Sequence, residues 1–202
     1  MENQVVHELK RQAVHLSGLI FVVLSYYVAP DIILALLIMT FVTILTHCFC
    51  RPVAQKFKLT RKISDFIHSF AREEEKSRRI YFGPSTFFVG LILPLAVLYP
   101  FDPELALLLF RASAIVLSMG DSFSTAIGKA FGKHKIQYNK AKSWEGFLAG
   151  FFAAFAATSL ILPMPIVFTI SLVGMLVESL PINVNDNLSI PVSVCIILWF
   201  LI

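Results

Sequence analysis

Seven strongly apolar runs, each about 15–19 residues long, constrain the fold of this chain more than any other feature. A helix needs about 20 mostly apolar residues to cross the roughly 30 Å hydrocarbon core of a bilayer, so these runs lie at the short end of that range. Only 15% of the residues are charged, compared with about 25% in soluble domains. We therefore predict an all-α integral membrane protein, a polytopic bundle of about seven transmembrane helices forming a single domain over residues 1–202. The predicted spans are near 13–29, 31–49, 82–99, 104–119, 145–162, 164–180 and 188–202.

The distribution of basic residues predicts the orientation of this bundle. Sixteen of the seventeen Lys and Arg residues lie in the N-terminus, in segment 50–80 or in segment 120–144. The connectors Val28–Asp31, Tyr99–Glu104 and Leu162–Pro165 contain none. Because Lys and Arg are enriched in cytoplasmic loops, we predict a multi-pass protein of the cell membrane or an endomembrane, with its N-terminus and polar loops in the cytoplasm.

Segment 52–80 is too polar to span a membrane, but it contains an amphipathic pattern. Ile63, Phe66, Ile67 and Phe70 recur at the spacing of one helix face. With basic residues nearby, this pattern predicts a cytoplasmic helix that lies in the membrane interface. Its role is either structural packing or the gating of a lipid substrate.

The charge distribution and the cysteines argue against two other classes of protein, a nucleic-acid-binding protein and a disulfide-rich protein. The net charge of +4 resides on short loops between apolar runs, so we expect no nucleic-acid partner. The odd set of Cys48, Cys50 and Cys195 lies in or beside apolar runs, which argues against a disulfide framework.

A polar, glycine- and lysine-rich insert between two apolar runs extends from Gly120 to Gly146 and contains one Asp, one Glu and five Lys. Gly128-Lys129 and Gly132-Lys133 repeat at a spacing of four, which on a helix would place both glycines on one face and both lysines on one face. Glycine lets a backbone approach a bulky anion closely, although the spacing is not that of a P-loop. The pattern favours a polyanion site, with a generic basic loop as the alternative.

The end of this insert has the features of a helix start. Ser143 is a suitable N-cap for the fifth apolar run, and a helix N-terminus favours an anion. In one interpretation, Lys142 is an ordinary membrane anchor and Glu145 is an acid that matches the helix dipole. In the other, the two residues form a phosphate clamp with a metal-oriented carboxylate.

Three carboxylates carry the strongest chemical signal. Glu178 lies within an apolar run, where an ionisable group is a functional candidate because an unpaired charge in lipid is costly. Asp186 follows in Asn185-Asp186-Asn187, which is otherwise a simple turn. Together with Asp121 they offer the oxygen ligands that suit Mg²⁺. If they act together, they must converge with Lys142 in one cytoplasmic pocket.

Three further ionisable residues have open roles. Arg11 and His15 are four apart and share a helix face. They are either interfacial anchors, or a phosphate contact and a group near an acceptor hydroxyl. Arg111 is the lone charge of the fourth run, where it either pairs with an acid such as Glu178 or contacts substrate.

Several of these motifs resemble the CTP-dependent polyprenol, phytol and dolichol kinase family of membrane proteins, and are also similar to phosphatidate cytidylyltransferases. The resemblance keeps the order of the motifs over essentially the whole chain, although Gln12 follows Arg11 where the family often has Lys. The motifs are Glu8-Leu9-Lys10-Arg11 with His15, Gly120-Asp121 with Gly128 and Phe131-Gly132-Lys133, Lys142-Ser143-Trp144-Glu145-Gly146, and Glu178 with Asp186 to Pro191.

The resemblance implies transfer of the γ-phosphoryl group of CTP to a lipid alcohol such as a polyprenol, dolichol, phytol or geranylgeraniol, with Mg²⁺ as cofactor. CTP, the lipid alcohol and membrane lipid are then the implied partners. Asp121, Glu178 and His15 are the implied catalytic residues, and Asp121, Glu178 and Asp186 the implied metal ligands. The implied nucleotide and phosphate contacts are Arg11, Gly128, Lys129, Gly132, Lys133, Lys142, Ser143 and Glu145.

Two other functions remain open on sequence alone. The first is a cytidylyltransferase that makes a CDP-lipid, which must also hold the phosphate of its lipid substrate. Because no Lys or Arg follows Lys142, the sequence favours the kinase. The second is a non-catalytic membrane protein or transporter, although a transporter would more naturally distribute polar groups through the bilayer depth. The sequence does not indicate an oligomeric state.

Overall fold

A computed structural model describes residues 12, 15–49, 55–56, 58–69 and 82–202, which are mainly helical. The N-terminal elements are α1 (Leu19–Leu24), α2 (Pro30–Phe49), α3 (Lys58–Ser69), α4 (Phe82–Leu98) and α5 (Pro103–Ile115). There follow a π-helix (Val116–Asp121), α6 (Ser122–Phe131), and strands β1 (Lys135–Ile136) and β2 (Asn139–Ser143). The chain ends with α7 (Trp144–Thr158), α8 (Met164–Ser179) and α9 (Asp186–Leu201).

Helical residues lie in each of the seven predicted apolar runs, so the mainly helical character of the prediction is confirmed. Among the described residues, two stretches are long and apolar enough to cross a membrane, Pro30–His47 and Pro103–Phe131. The other apolar helices have 10–17 residues, and 17 residues rise only about 26 Å. The seven-span topology and its orientation therefore stay predictions.

The two long stretches differ in their surroundings. Only 17% of the residues of Pro30–His47 are buried, whereas 72% are buried in an apolar 18-residue stretch of Pro103–Phe131. The second stretch is the centre of the fold, where Phe110 and Leu117 are fully buried in the main hydrophobic core with residues of α2, α4 and α9. The first stretch exposes four large apolar side chains, those of Ile32, Ile38, Met39 and Val42.

The central stretch changes its winding just before the polar insert. Residues Val116–Asp121 form a π-helix between α5 and α6, and such insertions are frequent at functional sites. A π-turn contains more residues than an α-turn, so side chains after it are offset from those of α5. The π-helix ends at Asp121, one of the three carboxylates singled out in the sequence.

Helix α7 packs unusually closely on the π-helix and α6. A Cβ added at Gly150 would lie 2.3 Å from Met175 Sδ and 2.7 Å from the Gly120 carbonyl oxygen. A Cβ at Gly146 would lie 2.7 Å from the Ser124 carbonyl oxygen. The absence of side chains at these two glycines is what lets the backbones meet.

A small β-hairpin is an addition to the predicted all-α fold. Lys135 pairs with Ser143 and Ile136 with Asn139 in an antiparallel arrangement. One step along β1 thus corresponds to four residues along β2, and the ladder is irregular between the two pairs. The hairpin is fixed to the helices by Ile136, which is fully buried against residues of α7 and α8.

The predicted interfacial segment 52–80 is described over residues 55–56 and 58–69. The predicted helix is confirmed over Lys58–Ser69, and it contacts α2. Ile63 and Phe66 are exposed on it, while Phe70 lies outside the described residues. The position of this helix in a membrane interface stays a prediction.

Candidate active site

Three carboxylates from three different elements meet at one place. Asp121 ends the π-helix, Glu178 lies in the last turn of α8, and Asp186 begins α9. One carboxylate oxygen from each lies within 4.8 Å of the others. Asp121 and Glu178 are buried and Asp186 is half-buried. Residues that are far apart in sequence therefore form one acidic cluster, which opens to the surface on the side of Asp186.

Lys142 on β2 is the cation of this cluster. Its Nζ donates a hydrogen bond to Glu178 Oε1 and another to Asp186 Oδ2 at 3.0 Å. Burial alone would lower the pKa of Lys142, but the negative charges of Glu178 and Asp186, with a smaller effect of Asp121, raise it above its ordinary value. The amine therefore stays protonated at neutral pH and neutralises part of the acidic cluster.

His15 extends the cluster on the side of α1, in a helical turn that precedes this helix. Its Nδ1 lies 3.2 Å from Asp121 Oδ2, and both side chains are under 10% exposed. The imidazole ring packs against Phe87, with 4.9 Å between ring centroids. Asp121 is thus shared between the acidic cluster and a buried histidine.

Two hydroxyl groups on α6 hold the buried carboxylates, and neither was predicted from the sequence. Ser124 Oγ donates to Glu178 Oε1 at 3.0 Å, and Thr125 Oγ1 lies 3.4 Å from Asp121 Oδ1. These residues follow Asp121 by three and four positions, which on a helix places them on the same side. The Asp-x-x-Ser-Thr spacing is therefore the sequence signal that could have found them.

The two Gly-Lys pairs do not form one continuous helix face. Helix α6 ends at Phe131, so Gly132 and Lys133 lie beyond it. A Cβ at Gly128 would lie 3.3 Å from Ser143 Oγ, and one at Gly132 only 2.5 Å from the same atom. These glycines therefore allow α6 to pack against the residue that begins α7. Lys129 and Lys133 are exposed, and their role as phosphate contacts stays a proposal.

Ser143 and Glu145 both act on backbone N–H groups. Ser143 Oγ accepts a hydrogen bond from Gly146 N at 3.2 Å, which confirms the predicted N-cap of α7. The Glu145 carboxylate accepts hydrogen bonds from the backbone N–H groups of Lys133 and His134 at 3.2 and 3.1 Å, and its Oε1 lies 2.6 Å from His134 Nδ1. Glu145 therefore fixes the loop after α6.

Arg111 lies apart from this arrangement. Arg111 donates from Nε to Ser25 Oγ at 2.8 Å, and its guanidinium carbon lies 3.9 Å from the centre of the Tyr26 ring. Arg111 is therefore bound to the end of α1. The predicted alternative of an ion pair between Arg111 and Glu178 is wrong. Arg11 lies outside the described residues.

The donor set fits a divalent cation that prefers oxygen. Three carboxylates and one protonated lysine leave a formal charge of −2 among these residues, and uncompensated buried charge is costly. Mg²⁺ binds carboxylate oxygens in proteins, often together with phosphate oxygens, and three carboxylates meet here. The residues present are therefore suited to holding a magnesium–phosphate complex.

The chain is similar in sequence to a known protein family and to several known proteins. The model of a family described as the cytidylyltransferase family matches residues 3–189. The chain is 29% identical over 209 residues to phytol kinase 1, chloroplastic, of Arabidopsis thaliana, covering 95% of this chain and 66% of that protein. It is 30% identical over 210 residues to a probable phytol kinase 1, chloroplastic, of Glycine max, with the same coverage of 95% and 66%.

A third relative matches over a shorter stretch. The chain is 26% identical over 145 residues to a probable phytol kinase, chloroplastic, of Triticum aestivum, covering 63% of this chain and 47% of that protein. The chain thus spans about half to two thirds of the length of these curated relatives. No solved structure matches the chain.

Proposed function

Because this chain belongs to the cytidylyltransferase family, we propose that it is a membrane-embedded kinase that transfers the γ-phosphoryl group of CTP to an isoprenoid alcohol, with Mg²⁺. The observation that carries the proposal is the convergence of Asp121, Glu178 and Asp186 around Lys142. The names of the relatives favour a kinase over other reactions with CTP and suggest phytol or a similar alcohol as the acceptor.

Phosphoryl transfer depends mainly on positioning and on the neutralisation of charge, and the cluster offers both. Asp121, Glu178 and Asp186 would hold Mg²⁺, which when bound supplies positive charge to the phosphate oxygens. Lys142 would contact the phosphates from the side of Glu178 and Asp186, to which it bonds, and the exposed Lys129 and Lys133 would be further phosphate contacts. Arg11 is a further proposed phosphate contact, for which the described residues offer no geometry.

The acceptor hydroxyl is assigned to the side of the cluster where His15 meets Asp121. Its oxygen attacks the γ-phosphorus, the bond from that phosphorus to the β–γ bridging oxygen breaks, and CDP leaves. The hydroxyl proton passes to the Asp121–His15 pair, whose atoms lie 3.2 Å apart. The apolar tail of the alcohol would remain in the membrane, which requires the cluster to lie at its cytoplasmic border.

The test is an assay of the full chain, purified in detergent, with Mg²⁺, γ-labelled nucleoside triphosphates and a panel of lipid alcohols. We expect label in the lipid extract, with CTP as the preferred donor and CDP as the second product. Asp121→Asn should abolish the transfer, whereas Asp31→Asn in the first turn of α2 should not. If no alcohol in the panel acquires label from any donor, the proposal is wrong.

The description of the matched family favours one second candidate, a cytidylyltransferase that makes a CDP-lipid. This reaction would release pyrophosphate and place the α-phosphate of CTP in the lipid. The sequence offers no Lys or Arg after Lys142 to hold the phosphate of a lipid substrate. Parallel assays with phosphatidate and α-labelled CTP separate the two reactions, because only the second candidate gives α-label in the lipid.

A further inference from the structure

We infer that Tyr138 and Asn139, at the tip of the β-hairpin, are positioning residues that hold Lys142 against Glu178. The kinetic consequences of this inference rest on the proposed kinase function, whereas its structural consequences do not. The tip is here defined as residues 137–139, which join β1 to β2 and include the first residue of β2.

The tip contacts the residue that directly follows Glu178 in the sequence. The Tyr138 hydroxyl lies 2.8 Å from Ser179 Oγ, and Asn139 Nδ2 donates to the Ser179 carbonyl oxygen at 3.0 Å. Ser179 is fully buried and is the last residue of α8. The hairpin is therefore attached to α8 one residue away from the carboxylate that binds its own lysine.

The side chain of Asn139 bonds to two backbone groups, one on β2 and one at the end of α8. Its Oδ1 accepts a hydrogen bond from Ala141 N at 3.2 Å, within the irregular part of the hairpin ladder. Its Nδ2 binds a carbonyl at the C-terminus of α8, where the last carbonyl groups have no partner within the helix. One amide side chain thus connects the strand that carries Lys142 to the helix that carries Glu178.

The irregular register explains why Lys142 needs this attachment. The ladder pairs are Ile136 with Asn139 and Lys135 with Ser143, so Lys142 lies between them on the longer strand. Irregularities of this kind redirect side chains near functional sites, and the residues within them are not held by the regular ladder. The position of Lys142 therefore depends on how firmly the two ends of β2 are fixed.

The two ends of β2 are fixed in different ways. Ser143 caps α7 at one end, and the buried Ile136 supports the pairing of Asn139 at the other. Tyr138 itself is half exposed, so its hydroxyl contact is not a by-product of core packing. Without the contacts of the tip to Ser179, the Asn139 end would lose its bonds to α8 and keep only its pairing with the buried Ile136.

The structural test measures the hairpin and Lys142 without substrates. Hydrogen exchange over residues 135–143 should be faster in Asn139→Ala than in the wild type, and modestly faster in Tyr138→Phe. Gln137→Ala is the matched control, since Gln137 is an exposed residue of the same turn. Acylation of Lys142 by an amine-reactive reagent should be about tenfold faster in Asn139→Ala, with the exposed Lys129 as the internal reference.

The kinetic test uses the two substrates separately. We expect kcat/KM for CTP to fall about tenfold in Asn139→Ala and about threefold in Tyr138→Phe, since each loses hydrogen bonds of modest net value, with KM for the lipid alcohol unchanged. Asn139→Asp keeps the acceptor for Ala141 N–H but loses the donor to Ser179, so it should be as impaired as Asn139→Ala. Ser179→Ala should add little to Tyr138→Phe in this assay, because both remove the contact between the two hydroxyl groups. The other bond of Ser179 Oγ, to the Leu176 carbonyl oxygen, lies within α8.

The outcomes separate a positioning role from a merely structural one. Unchanged acylation of Lys142 in Asn139→Ala overturns the inference, whether or not the wild type is a kinase. Faster acylation with an unchanged kcat/KM for CTP also overturns it. A fall in apparent affinity for both substrates, with faster exchange throughout the chain, would assign these residues to stability alone. If the wild type transfers no phosphoryl group, the proposed function is wrong. The acylation rate of Lys142 still tests whether Tyr138 and Asn139 hold this lysine against Glu178.

Discussion

Lys142 on β2 forms an ion pair with Glu178 on α8, a residue that lies 36 positions later and is almost fully buried. The pair joins the hairpin to the helical core and shares its cation with Asp186. Removing one member of a buried pair leaves the other charge uncompensated, which costs more than the intact pair contributes. The stability and the chemistry of this site are therefore coupled through a single amine.

The first prediction concerns this coupling. Lys142→Met should lower the free energy of unfolding by about 3 kcal/mol, because the buried Glu178 then loses its charged partner. Glu178→Gln combined with Lys142→Met should recover part of that loss, because the pair is then neutral. Thermal unfolding in detergent measures both effects. Neither variant should recover phosphoryl transfer, and a double variant less stable than Lys142→Met would contradict the coupling.

The second prediction is the pH dependence of the same pair. The pKa of Lys142 is raised in the folded protein, so its contribution to stability is fully present below the ordinary lysine pKa of about 10.4. It is lost only as the pH rises through the folded value. The difference in unfolding temperature between wild type and Lys142→Met should therefore be constant from pH 6 to 9 and shrink in more alkaline solution. A difference that shrinks below pH 9 would contradict the raised pKa.

The third prediction concerns Ser124, whose hydroxyl holds Glu178 Oε1 at 3.0 Å. Groups that orient metal ligands typically affect metal affinity by about 10–100-fold. Ser124→Ala should raise the Mg²⁺ concentration needed for half-maximal activity at least tenfold, with a smaller effect on kcat at saturating Mg²⁺. Ser113→Ala is the control, since this buried serine of α5 donates to the Phe110 carbonyl oxygen rather than to a carboxylate. Equal Mg²⁺ requirements in both variants would remove Ser124 from the site.

The fourth prediction addresses the contact between His15 and Asp121. If this pair takes the proton of the acceptor hydroxyl, His15→Ala should lower kcat about 100-fold, within the usual range for proton transfer by a side chain. KM for CTP should change little, because the nucleotide is assigned to the other side of the cluster. His47→Ala near the end of α2 is the control. A loss that appears in KM for CTP alone would assign His15 to nucleotide binding.

Much of this arrangement could be predicted from residues that are unusual for their surroundings. Glu178 stands out because it is an acid in an apolar run, and the apolar runs themselves indicate helices through their length. Ser143 was identifiable because helix N-caps have a narrow set of residue types. In each case an unfavourable exposure or burial must be offset by the structure: a buried charge needs a partner, apolar runs need burial or lipid, and the N–H groups that begin a helix need an acceptor.

The parts that sequence could not supply depend on backbone partners or on local winding. The partners of Glu145 are the N–H groups of Lys133 and His134, and a backbone N–H group has no sequence signature. The π-helix before Asp121 has no distinctive composition. Two short strands with an irregular register do not produce alternation, so Tyr138 and Asn139 looked like ordinary loop residues. Polar residues inside a polar insert are inconspicuous until their partners are known.

The fifth prediction tests whether close helix packing sets the position of Asp121. Gly150→Ala would place a Cβ 2.3 Å from Met175 Sδ and 2.7 Å from the Gly120 carbonyl oxygen, next to the π-helix. The side chain of Met175 can move, but the backbone of Gly120 can move only with the π-helix. Overpacking of this kind costs about 1–3 kcal/mol, so we expect a lower unfolding temperature together with a reduced kcat.

A second substitution separates the contact of Gly150 with Met175 from its contact with the Gly120 backbone. Met175→Ala added to Gly150→Ala removes the clash with sulfur but not the clash with the Gly120 backbone. Because the π-helix is displaced by the second contact, this double variant should not recover kcat. Leu148→Ala, an exposed position on the same helix, controls for a change of volume on α7. Full recovery of kcat in the double variant would mean that Met175, and not the π-helix, transmits the effect to Asp121.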